Sequence, residues 1–411
     1  MPRELMLETA TGAFALCPYE LPPLQPEDVR IRIELATVKH GTESHAWSGA
    51  VNRGRRWDPR LRLFLDPPRD DRDAQGAAVA ALPGRASNEA GASATGALPP
   101  LVAVGNMAVG VVEQSGAAVA DFRPGDRVYG YMPVRETHQA PAADLRLRHL
   151  PDRLSSDAAV CVDPAHVAFV AVRDGKVRLD DSVAVFGLGA IGLLTVQAAL
   201  AAGAERVIAV DPLPGRRERA VRLGAADAFD PTAGDVGVAI KEATGGRGVD
   251  VARETSGTDR AMQEAIRCIM QCGTVVAVGW ASGPGTALYL GEEFHVNRPT
   301  LVASQCASFW GNPDRDYPLW DEPRAQLACA ELFCRGSLHA VLDPIVTLDE
   351  ARCAPCARTR APCSRWASVS DRTRRRGGWR GSRLEPDRSR PRRDTRDTRR
   401  SSDKETRRGS Y

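Results

Sequence analysis

The sequence predicts an α/β protein with a doubly wound parallel sheet and a second, β-rich part. Three observations support this fold class. Residues 182–211 show an apolar strand, a glycine-rich turn, an Ala- and Leu-rich helix and a second apolar strand that ends at Asp211. From residue 156 onward, helix and strand patterns alternate with short links, which favours parallel strands joined by right-handed crossovers. Residues 28–35 alternate polar and apolar side chains, as a half-buried strand does.

The β-rich part is predicted to be a domain over residues 1–155. Strand signals continue at residues 107–113, and a Pro-Gly turn introduces another strand within residues 122–131. Residues 67–99 hold Pro, Asp and Arg, followed by many Ala, Gly and Ser with little periodicity. Because this segment has no regular apolar face, we expect a flexible surface insertion that is partly disordered.

The parallel sheet is predicted over residues 156–300, and residues 301–350 are expected to return to the β-rich domain. The last twelve residues of that return, 339–350, have β-type sequence. Besides the strands and helix within residues 182–211, the expected elements are helices at 164–172, 215–223, 260–270 and 323–335 and strands at 249–252, 273–278 and 301–304.

The glycine-rich turn is the strongest local motif. In a strand–turn–helix unit with this glycine spacing, the first glycine permits the tight turn and the second lets the backbone approach a pyrophosphate. The third lets the helix pack close to the sheet, and the helix N-terminus stabilises phosphate charge. We therefore predict a dinucleotide site, the alternative being a glycine-rich turn in an unrelated α/β protein. The predicted binding residues of the turn are Gly187, Leu188, Gly189, Ala190, Ile191 and Gly192.

The expected cofactor is NAD. Asp211 lies nineteen residues after Gly192, where a carboxylate can accept hydrogen bonds from the ribose hydroxyls. The same carboxylate would repel the 2′-phosphate of NADP. Arg216 and Arg217 follow closely and could accommodate such a phosphate, which leaves NADP open.

Two later loops are candidates for the nicotinamide pocket. They leave the carboxyl ends of predicted parallel strands, where open α/β sheets bind their ligands. The small residues in these loops are Thr255, Ser256 and Gly279, and an ordinary turn would explain them equally well.

The charge of the 411-residue chain is unevenly distributed. Residues 351–411 hold 20 basic and 7 acidic side chains, whereas residues 1–350 carry a net charge of −10. Apolar periodicity also stops at residue 351, so we expect a disordered Arg-rich tail. It could bind nucleic acid or another anion, serve only as a solvated extension, or arise from a reading-frame shift. Nucleic-acid binding is disfavoured because aromatic residues are not interleaved and acids are mixed among the arginines.

The remaining composition favours a cytoplasmic protein. The sequence has no run of eighteen apolar residues and its N-terminus lacks a signal-peptide pattern, so we expect no membrane segment. The ten cysteines are spaced like small core residues rather than like a disulfide framework.

Several motifs follow one another along residues 5–350. They are His40-Gly-Thr-Glu-Ser-His45, Gly105-Asn-Met-Ala-Val-Gly-Val-Val-Glu113, Asp163-Pro164, the glycine turn and Glu254-Thr-Ser-Gly257. In this order they resemble the medium-chain dehydrogenase/reductase superfamily, the relatives of zinc alcohol and sorbitol dehydrogenases. The resemblance implies a Rossmann dinucleotide-binding domain and a GroES-like catalytic domain. It also implies a small-molecule alcohol or carbonyl substrate and a homo-oligomer.

The sequence departs from this family at the zinc ligands. The zinc enzymes of the family use a Cys, a His-Glu pair and a later Cys or Glu, and the matching positions here are His40, Asn106, Met107 and Asp163. Asn is a poor zinc ligand, and thioether Met suits Cu(I) better. We therefore expect no metal site, with a zinc site of His40, Glu43 and Asp163 as the alternative.

The resemblance also suggests which residues catalyse the reaction. Thr42 and His45 match positions that relay a proton from substrate to solvent in the zinc enzymes, although His45 could instead only pack beside the ribose. Glu43 and Asp163 could hold His40 as an imidazolium that polarises a carbonyl group. The predicted catalytic residues are His40, Thr42, Glu43, His45 and Asp163.

The leading hypothesis is thus a zinc-independent, NAD(P)-dependent oxidoreductase that acts on an alcohol or carbonyl group. The alternatives are a zinc-dependent alcohol dehydrogenase with an altered ligand set and a dinucleotide-binding protein without dehydrogenase activity.

Overall fold

The computed structural model describes residues 1–9, 11–38, 56–58, 60–65, 101–281, 284–306, 313–342 and 345–351. The predicted insertion at 67–99 and the predicted tail after Ala351 lie outside these residues. Within them, no helix is both long and apolar enough to cross a bilayer.

The first part of the described chain is built of antiparallel strands. The larger sheet has the strand order β10-β8-β7-β3-β9, a second has the order β2-β1-β6, and β4 pairs with β5. The strands are β1 (Arg3–Glu8), β2 (Phe14–Pro18), β3 (Asp28–Ala36), β4 (Arg56–Asp58), β5 (Leu63–Leu65), β6 (Leu101–Ala103), β7 (Met107–Ser115), β8 (Arg127–Tyr131), β9 (Thr137–Pro141) and β10 (Arg148–His149).

Helices and strands alternate in the second part of the chain. They are α1 (Ser156–Ala159), α2 (Val162–Asp174), β11 (Ser182–Phe186), α3 (Ala190–Ala201), β12 (Arg206–Val210), α4 (Pro214–Arg222), β13 (Asp227–Phe229), α5 (Val236–Ala243), β14 (Val249–Glu254), α6 (Asp259–Cys268), β15 (Ile269–Ala277), α7 (Glu293–Asn297), β16 (Thr300–Ala303), α8 (Glu322–Cys334) and α9 (Leu348–Ala351).

The six strands of this part form one parallel sheet. Its order is β13-β12-β11-β14-β15-β16, so the chain first moves outward from β11 in one direction and then returns to add β14 on its other side. The change of direction between β11 and β14 is the switch point at which open α/β sheets bind ligands. The predicted α/β fold with a doubly wound parallel sheet is confirmed.

The sheet is covered by helices on both faces. Val183 and Val185 of β11 pack in one hydrophobic cluster with residues of α2 and α3. The alternate residues, Ala184 and Phe186, pack in a second cluster with residues of α5 and α6. Because both faces are buried, β11 is apolar at nearly every position rather than at every second one.

The prediction of β structure over residues 339–350 is wrong for the residues that the structure describes. Residues 339–350 have β-type sequence, but the described residues there contain no strand and end in α9. The helix begins where Thr347 Oγ1 accepts the Glu350 backbone N–H at 3.3 Å and Glu350 Oε2 accepts the Thr347 N–H at 2.8 Å. This reciprocal capping favours a helical turn over a strand. Leu348 and Ala351 are buried against the β-rich sheets.

Candidate functional site

A glycine turn joins β11 to α3 at the carboxyl edge of the parallel sheet. Gly187 has a φ of +88°, and a Cβ atom placed on it would lie 2.9 Å from the backbone nitrogen of Ser256. A Cβ atom on Gly192 would lie 1.8 Å from the carbonyl oxygen of Gly187. Since both contacts are with backbone atoms, they cannot be relieved by a rotamer change. The turn therefore requires glycine at both positions for its own packing.

Gly189 is different, because the protein gives no steric reason for it. Its φ is −70°, which any residue adopts, and a Cβ atom there would meet nothing within 4 Å. Gly189 immediately precedes α3, whose N-terminus has no side-chain cap. The first N–H groups of a helix lack intrahelical acceptors and carry partial positive charge. The open space beside Gly189 can thus admit a phosphate to the helix N-terminus.

Asp211 supports the same turn from the neighbouring strand. It follows β12 directly and is only 2% exposed. Its Oδ2 accepts the backbone N–H of Leu188 at 2.8 Å, and its Oδ1 accepts that of Leu213 at 2.9 Å. The guanidinium of Arg216 lies 3.3 Å from Oδ2 and partly balances the carboxylate charge. Asp211, the predicted ribose-binding residue, and Arg216, a candidate for binding a 2′-phosphate, are therefore in contact with each other.

The loop after β14 is hydrogen-bonded to the glycine turn. The Thr255 hydroxyl lies 2.6 Å from the carbonyl oxygen of Gly187 and 3.0 Å from that of Phe186. The hydroxyl hydrogen can be donated to only one acceptor at a time, and the shorter contact is with Gly187. The loop therefore adjoins the glycine turn, and Thr255 and Ser256 both lie against Gly187.

A buried carboxylate organises this loop. Glu254 Oε1 accepts the backbone N–H groups of Ser256 at 2.6 Å and Gly257 at 2.9 Å. Burial raises the pKa of Glu254 above its ordinary value. A Cβ atom on Gly279 would lie 2.2 Å from the backbone nitrogen of Gly257, so the loops after β14 and β15 are in close contact. Gly279 is thus required for this packing.

A pocket opens beside the N-terminus of α3. Its walls come from both parts of the chain and are mainly apolar. Ala190, the first residue of α3, lines it, so the pocket lies next to Gly189. The lining residues are Thr37, Asn106, Val160, Cys161, Pro164, Ala190, Val341 and Leu342.

Asp163 lies behind this pocket in a hydrogen-bonded network. The buried Asp163 Oδ2 accepts Asn106 Nδ2–H at 2.8 Å, and its Oδ1 accepts the Tyr131 hydroxyl at 3.0 Å. Tyr131 in turn accepts Gln326 Nε2–H at 2.9 Å. Burial, together with the charges of Asp163 and Glu322, raises the pKa of Tyr131 well above its ordinary value. Tyr131 therefore remains a protonated donor at physiological pH.

A relative of known activity covers most of the chain. D-guloside 3-dehydrogenase from Escherichia coli (strain K12) is 36% identical over 348 residues, which are 83% of this chain and 92% of the relative. The chain belongs to the medium-chain dehydrogenase/reductase superfamily. Within this superfamily it is an alcohol dehydrogenase-like oxidoreductase.

Two further comparisons agree with this membership in the medium-chain superfamily. The family described as zinc-binding dehydrogenase matches residues 190–320. (R,R)-butanediol dehydrogenase from Bacillus subtilis (strain 168) is 34% identical over 209 residues, 44% of this chain and 60% of that protein.

Solved structures of medium-chain dehydrogenases share the fold. The crystal structure of 2R,3R-butanediol dehydrogenase from Bacillus subtilis has a TM-score of 0.65 at 22% identity and covers 90% of this chain and 100% of that one. A putative zinc-binding dehydrogenase from Sinorhizobium meliloti 1021, bound to NADP, has a TM-score of 0.63 at 20% identity and covers 90% and 99%.

The described residues do not fit the zinc that this superfamily often holds. Asn106 turns its amide nitrogen, which cannot ligate a cation, toward Asp163 and leaves only an amide oxygen, which is a poor zinc ligand. Met107 offers a thioether and is buried in the core. Within the ranges that the structure covers, no group of three His, Cys, Asp or Glu could hold a metal ion.

The predicted catalytic residues are only partly covered. His40, Thr42, Glu43 and His45 lie outside the described residues, so their proposed contacts with Asp163 stay predictions. The structure instead adds Asn106, Tyr131 and Gln326 to the site. No sequence signal connects these three residues. Tyr131 and Gln326 are 195 residues apart, and Asn106 stood out only because it occupies a position where the zinc enzymes of the family have a ligand.

Proposed function

We propose that this protein is an NAD(P)-dependent oxidoreductase that transfers a hydride between nicotinamide and an alcohol or carbonyl substrate without zinc. The observation that carries the proposal is the open space beside Gly189, at an uncapped helix N-terminus and next to a pocket. The protein's own packing explains Gly187 and Gly192 but leaves Gly189 unexplained. A phosphate that approaches the backbone accounts for it.

The residues around this space fit a dinucleotide. Gly187 to Gly192 would hold the pyrophosphate, and Asp211 would accept ribose hydroxyls through lone pairs that its bonds to Leu188, Leu213 and Arg216 leave available. The loop residues Thr255, Ser256 and Gly279 would contact the nicotinamide half. NAD is the proposed cofactor because the Asp211 carboxylate would repel a 2′-phosphate. NADP is the second candidate because the Arg216 guanidinium lies beside Asp211 and could bind that phosphate.

When bound, a nicotinamide would accept the hydride that the carbinol carbon gives up, and the alcohol would become a carbonyl once its hydroxyl proton is also removed. The chain must position the alcohol and conduct that proton. We assign the proton route to Thr42 and His45, since the imidazole group of a histidine can exchange protons near neutral pH. His40, supported by Glu43 and Asp163, would act as an imidazolium beside the developing oxygen charge.

The proposed substrates are secondary alcohols of the sugar and polyol class. The relatives named D-guloside 3-dehydrogenase, (R,R)-butanediol dehydrogenase and sorbitol dehydrogenase support this choice. Catalysis without zinc is supported by the chemistry of Asn106 and Met107, since neither side chain suits a Zn²⁺ ligand set.

A titration of the full chain with NADH, followed by fluorescence, tests the cofactor part of this proposal. Turnover is then measured with NAD and NADP over a panel of sorbitol, 2,3-butanediol, methyl glucosides and simple alcohols. Metal analysis and dialysis against a chelator complete the experiment. We expect NADH binding and turnover that survive removal of metal.

The other outcomes separate the alternatives. Stoichiometric zinc whose removal abolishes turnover would indicate a zinc enzyme with an altered ligand set. NADH binding without turnover of any substrate in the panel would indicate a dinucleotide-binding protein without dehydrogenase activity.

A further inference from the structure

We infer that Asn106 binds the substrate hydroxyl group in the pocket beside α3, through its side-chain oxygen Oδ1. The inference rests on the proposed function and adds the residue that orients the substrate. Asn106 is half-buried and lines the pocket immediately before β7.

The backbone of Asn106 is fixed on both sides. Its N–H donates to the carbonyl oxygen of Thr37 at 2.8 Å, and its carbonyl oxygen accepts the N–H of Met132 at 3.2 Å. Thr37 and Met132 belong to different segments of the β-rich part. The Cα atom of Asn106 is thus held by hydrogen bonds to two neighbouring segments, and only the side-chain torsions remain to be set.

The amide orientation is set by Asp163. Asn106 Nδ2 donates to Asp163 Oδ2 at 2.8 Å, and Tyr131 donates to the other carboxylate oxygen at 3.0 Å. A carboxylate only accepts hydrogen bonds, so the amide nitrogen must face Asp163 and the amide oxygen must point elsewhere. No donor among the described residues hydrogen-bonds to that oxygen. Asn106 thus lines the pocket and carries an amide oxygen that no described donor occupies.

The other pocket residues offer little competition. Thr37 is the second polar residue of the lining, but its hydroxyl donates to the carbonyl oxygen of Met107 at 3.2 Å. Burial raises the pKa of the Cys161 thiol to about 12, so it stays neutral. In a mainly apolar wall, one acceptor of fixed orientation contributes more to selectivity than it would in water.

An amide oxygen accepts a hydrogen bond but cannot donate one. An alcohol hydroxyl can satisfy it, whereas the carbonyl oxygen of the oxidised compound would meet it lone pair to lone pair. The pocket should thus prefer the alcohol over the corresponding carbonyl compound. Site-directed loss of the acceptor should abolish this preference.

The test measures binding by calorimetry on the full chain, with and without saturating NADH. The probes are sorbitol, 2,3-butanediol, methyl α-D-glucoside and 2,3-butanedione, the last being the dicarbonyl counterpart of butanediol, which has no hydroxyl donor. Asn106→Ala and the volume-conserving Asn106→Leu should weaken binding of the best alcohol probe at least about tenfold. Gln139→Leu removes a half-buried amide on β9 that bonds Arg30 and Asp28 outside the pocket, and it should change binding less than about twofold.

Tyr131→Phe tests the support behind Asn106. It removes the hydroxyl that holds Asp163 without touching the pocket wall, so alcohol binding should weaken by a smaller factor, about threefold, and KM should rise while kcat changes less. The NADH dissociation constant should be unchanged in every variant. Melting temperatures identify any variant that fails to fold, in which case Tyr131→Phe provides the measurement.

The outcomes distinguish this inference from the proposed function. Alcohol binding that depends on Asn106, but without turnover, would support the inference and overturn the proposed dehydrogenase activity. Alcohol binding within about twofold of the unmodified chain in both Asn106 variants would overturn the inference, whatever the turnover. Failure of the unmodified chain to bind any of the hydroxylated probes would also overturn it.

Discussion

Thr255 and Gly187 are joined by a hydrogen bond of 2.6 Å, although 68 residues separate them in the sequence. The Thr255 hydroxyl thereby ties the loop after β14 to the glycine turn after β11. The two loops flank the switch point of the sheet, where the proposed dinucleotide would bind.

Replacing Thr255 with Val should therefore loosen the cofactor site while keeping the side-chain shape. One buried acceptor on Gly187 loses its partner, which costs about 1–2 kcal/mol. We expect the NADH dissociation constant to rise about fivefold and the melting temperature to fall by a few degrees. Fluorescence titration and thermal unfolding measure both. Thr11→Val, at an exposed hydroxyl that bonds Glu8, is the matched control and should change neither.

Two glycines of the turn should respond differently to alanine. Gly192→Ala forces a Cβ atom against the Gly187 carbonyl oxygen, so the folded state should lose several kcal/mol and the melting temperature should fall markedly. Gly189→Ala meets open space, so stability should be kept while NADH binding weakens at least about tenfold. Gly215→Ala, also in open space but on α4, should leave NADH binding unchanged.

That comparison can fail in an informative way. If Gly189→Ala binds NADH as the unmodified chain does, the space beside Gly189 does not hold the pyrophosphate.

Asp211→Ala should change both cofactor affinity and cofactor preference. It leaves the N–H groups of Leu188 and Leu213 without their acceptor and frees Arg216 from its ion pair. We expect NADH to bind at least about tenfold more weakly and the affinity ratio of NADPH to NADH to rise. Glu218→Ala removes the same charge from an exposed position of α4 and should leave that ratio unchanged. An unaltered ratio in Asp211→Ala would contradict the assigned ribose contact.

His138 should make the folded state sensitive to acid. Burial, with a smaller effect from Arg135, lowers its pKa from 6.5 to about 3. Below pH 6.5 the unfolded chain therefore binds a proton that the folded chain does not, and stability falls as the pH falls toward 3. Uptake of this one proton by the unfolded chain lowers the free energy of unfolding by about 2 kcal/mol between pH 6.5 and pH 5.

Urea unfolding at several pH values measures this dependence. In His138→Phe, the loss of unfolding free energy between pH 6.5 and pH 5 should be smaller by that amount. His149→Gln, at an exposed histidine, should show the same loss as the unmodified chain. If His138→Phe loses as much unfolding free energy in acid as the unmodified chain, other groups cause the loss.

Much of the geometry of the proposed cofactor site could be predicted from the sequence, because its requirements are local. The turn needs a positive φ at Gly187 and no side chain at Gly192, and both constraints act within six residues. The position of Asp211 follows from the length of one helix and one strand. Regular spacing of this kind leaves a readable pattern.

The residues of the proposed substrate pocket could not be predicted in the same way. The Asn106 amide is oriented by Asp163, which lies 57 residues later on α2, and Asp163 in turn accepts a hydrogen bond from Tyr131 of β8. Alone, Asn106 indicated only a poor zinc ligand. The prediction of β structure for residues 339–350 was wrong for a related reason. Their apolar pattern is typical of a strand, but Thr347 and Glu350 cap a short helix.

The bond between Gln326 and Tyr131 also bears on the order in which the protein matures. A nascent chain that ends after β16 already contains the glycine turn, Asp211 and all six parallel strands, but it lacks α8. Gln326 reaches the Tyr131 hydroxyl only when α8 has left the ribosome and docked. The residues proposed to bind the dinucleotide are therefore all synthesised before the residue that supports the proposed substrate contact. A chimera that exchanges the parallel sheet alone would need to keep α8 with the β-rich part.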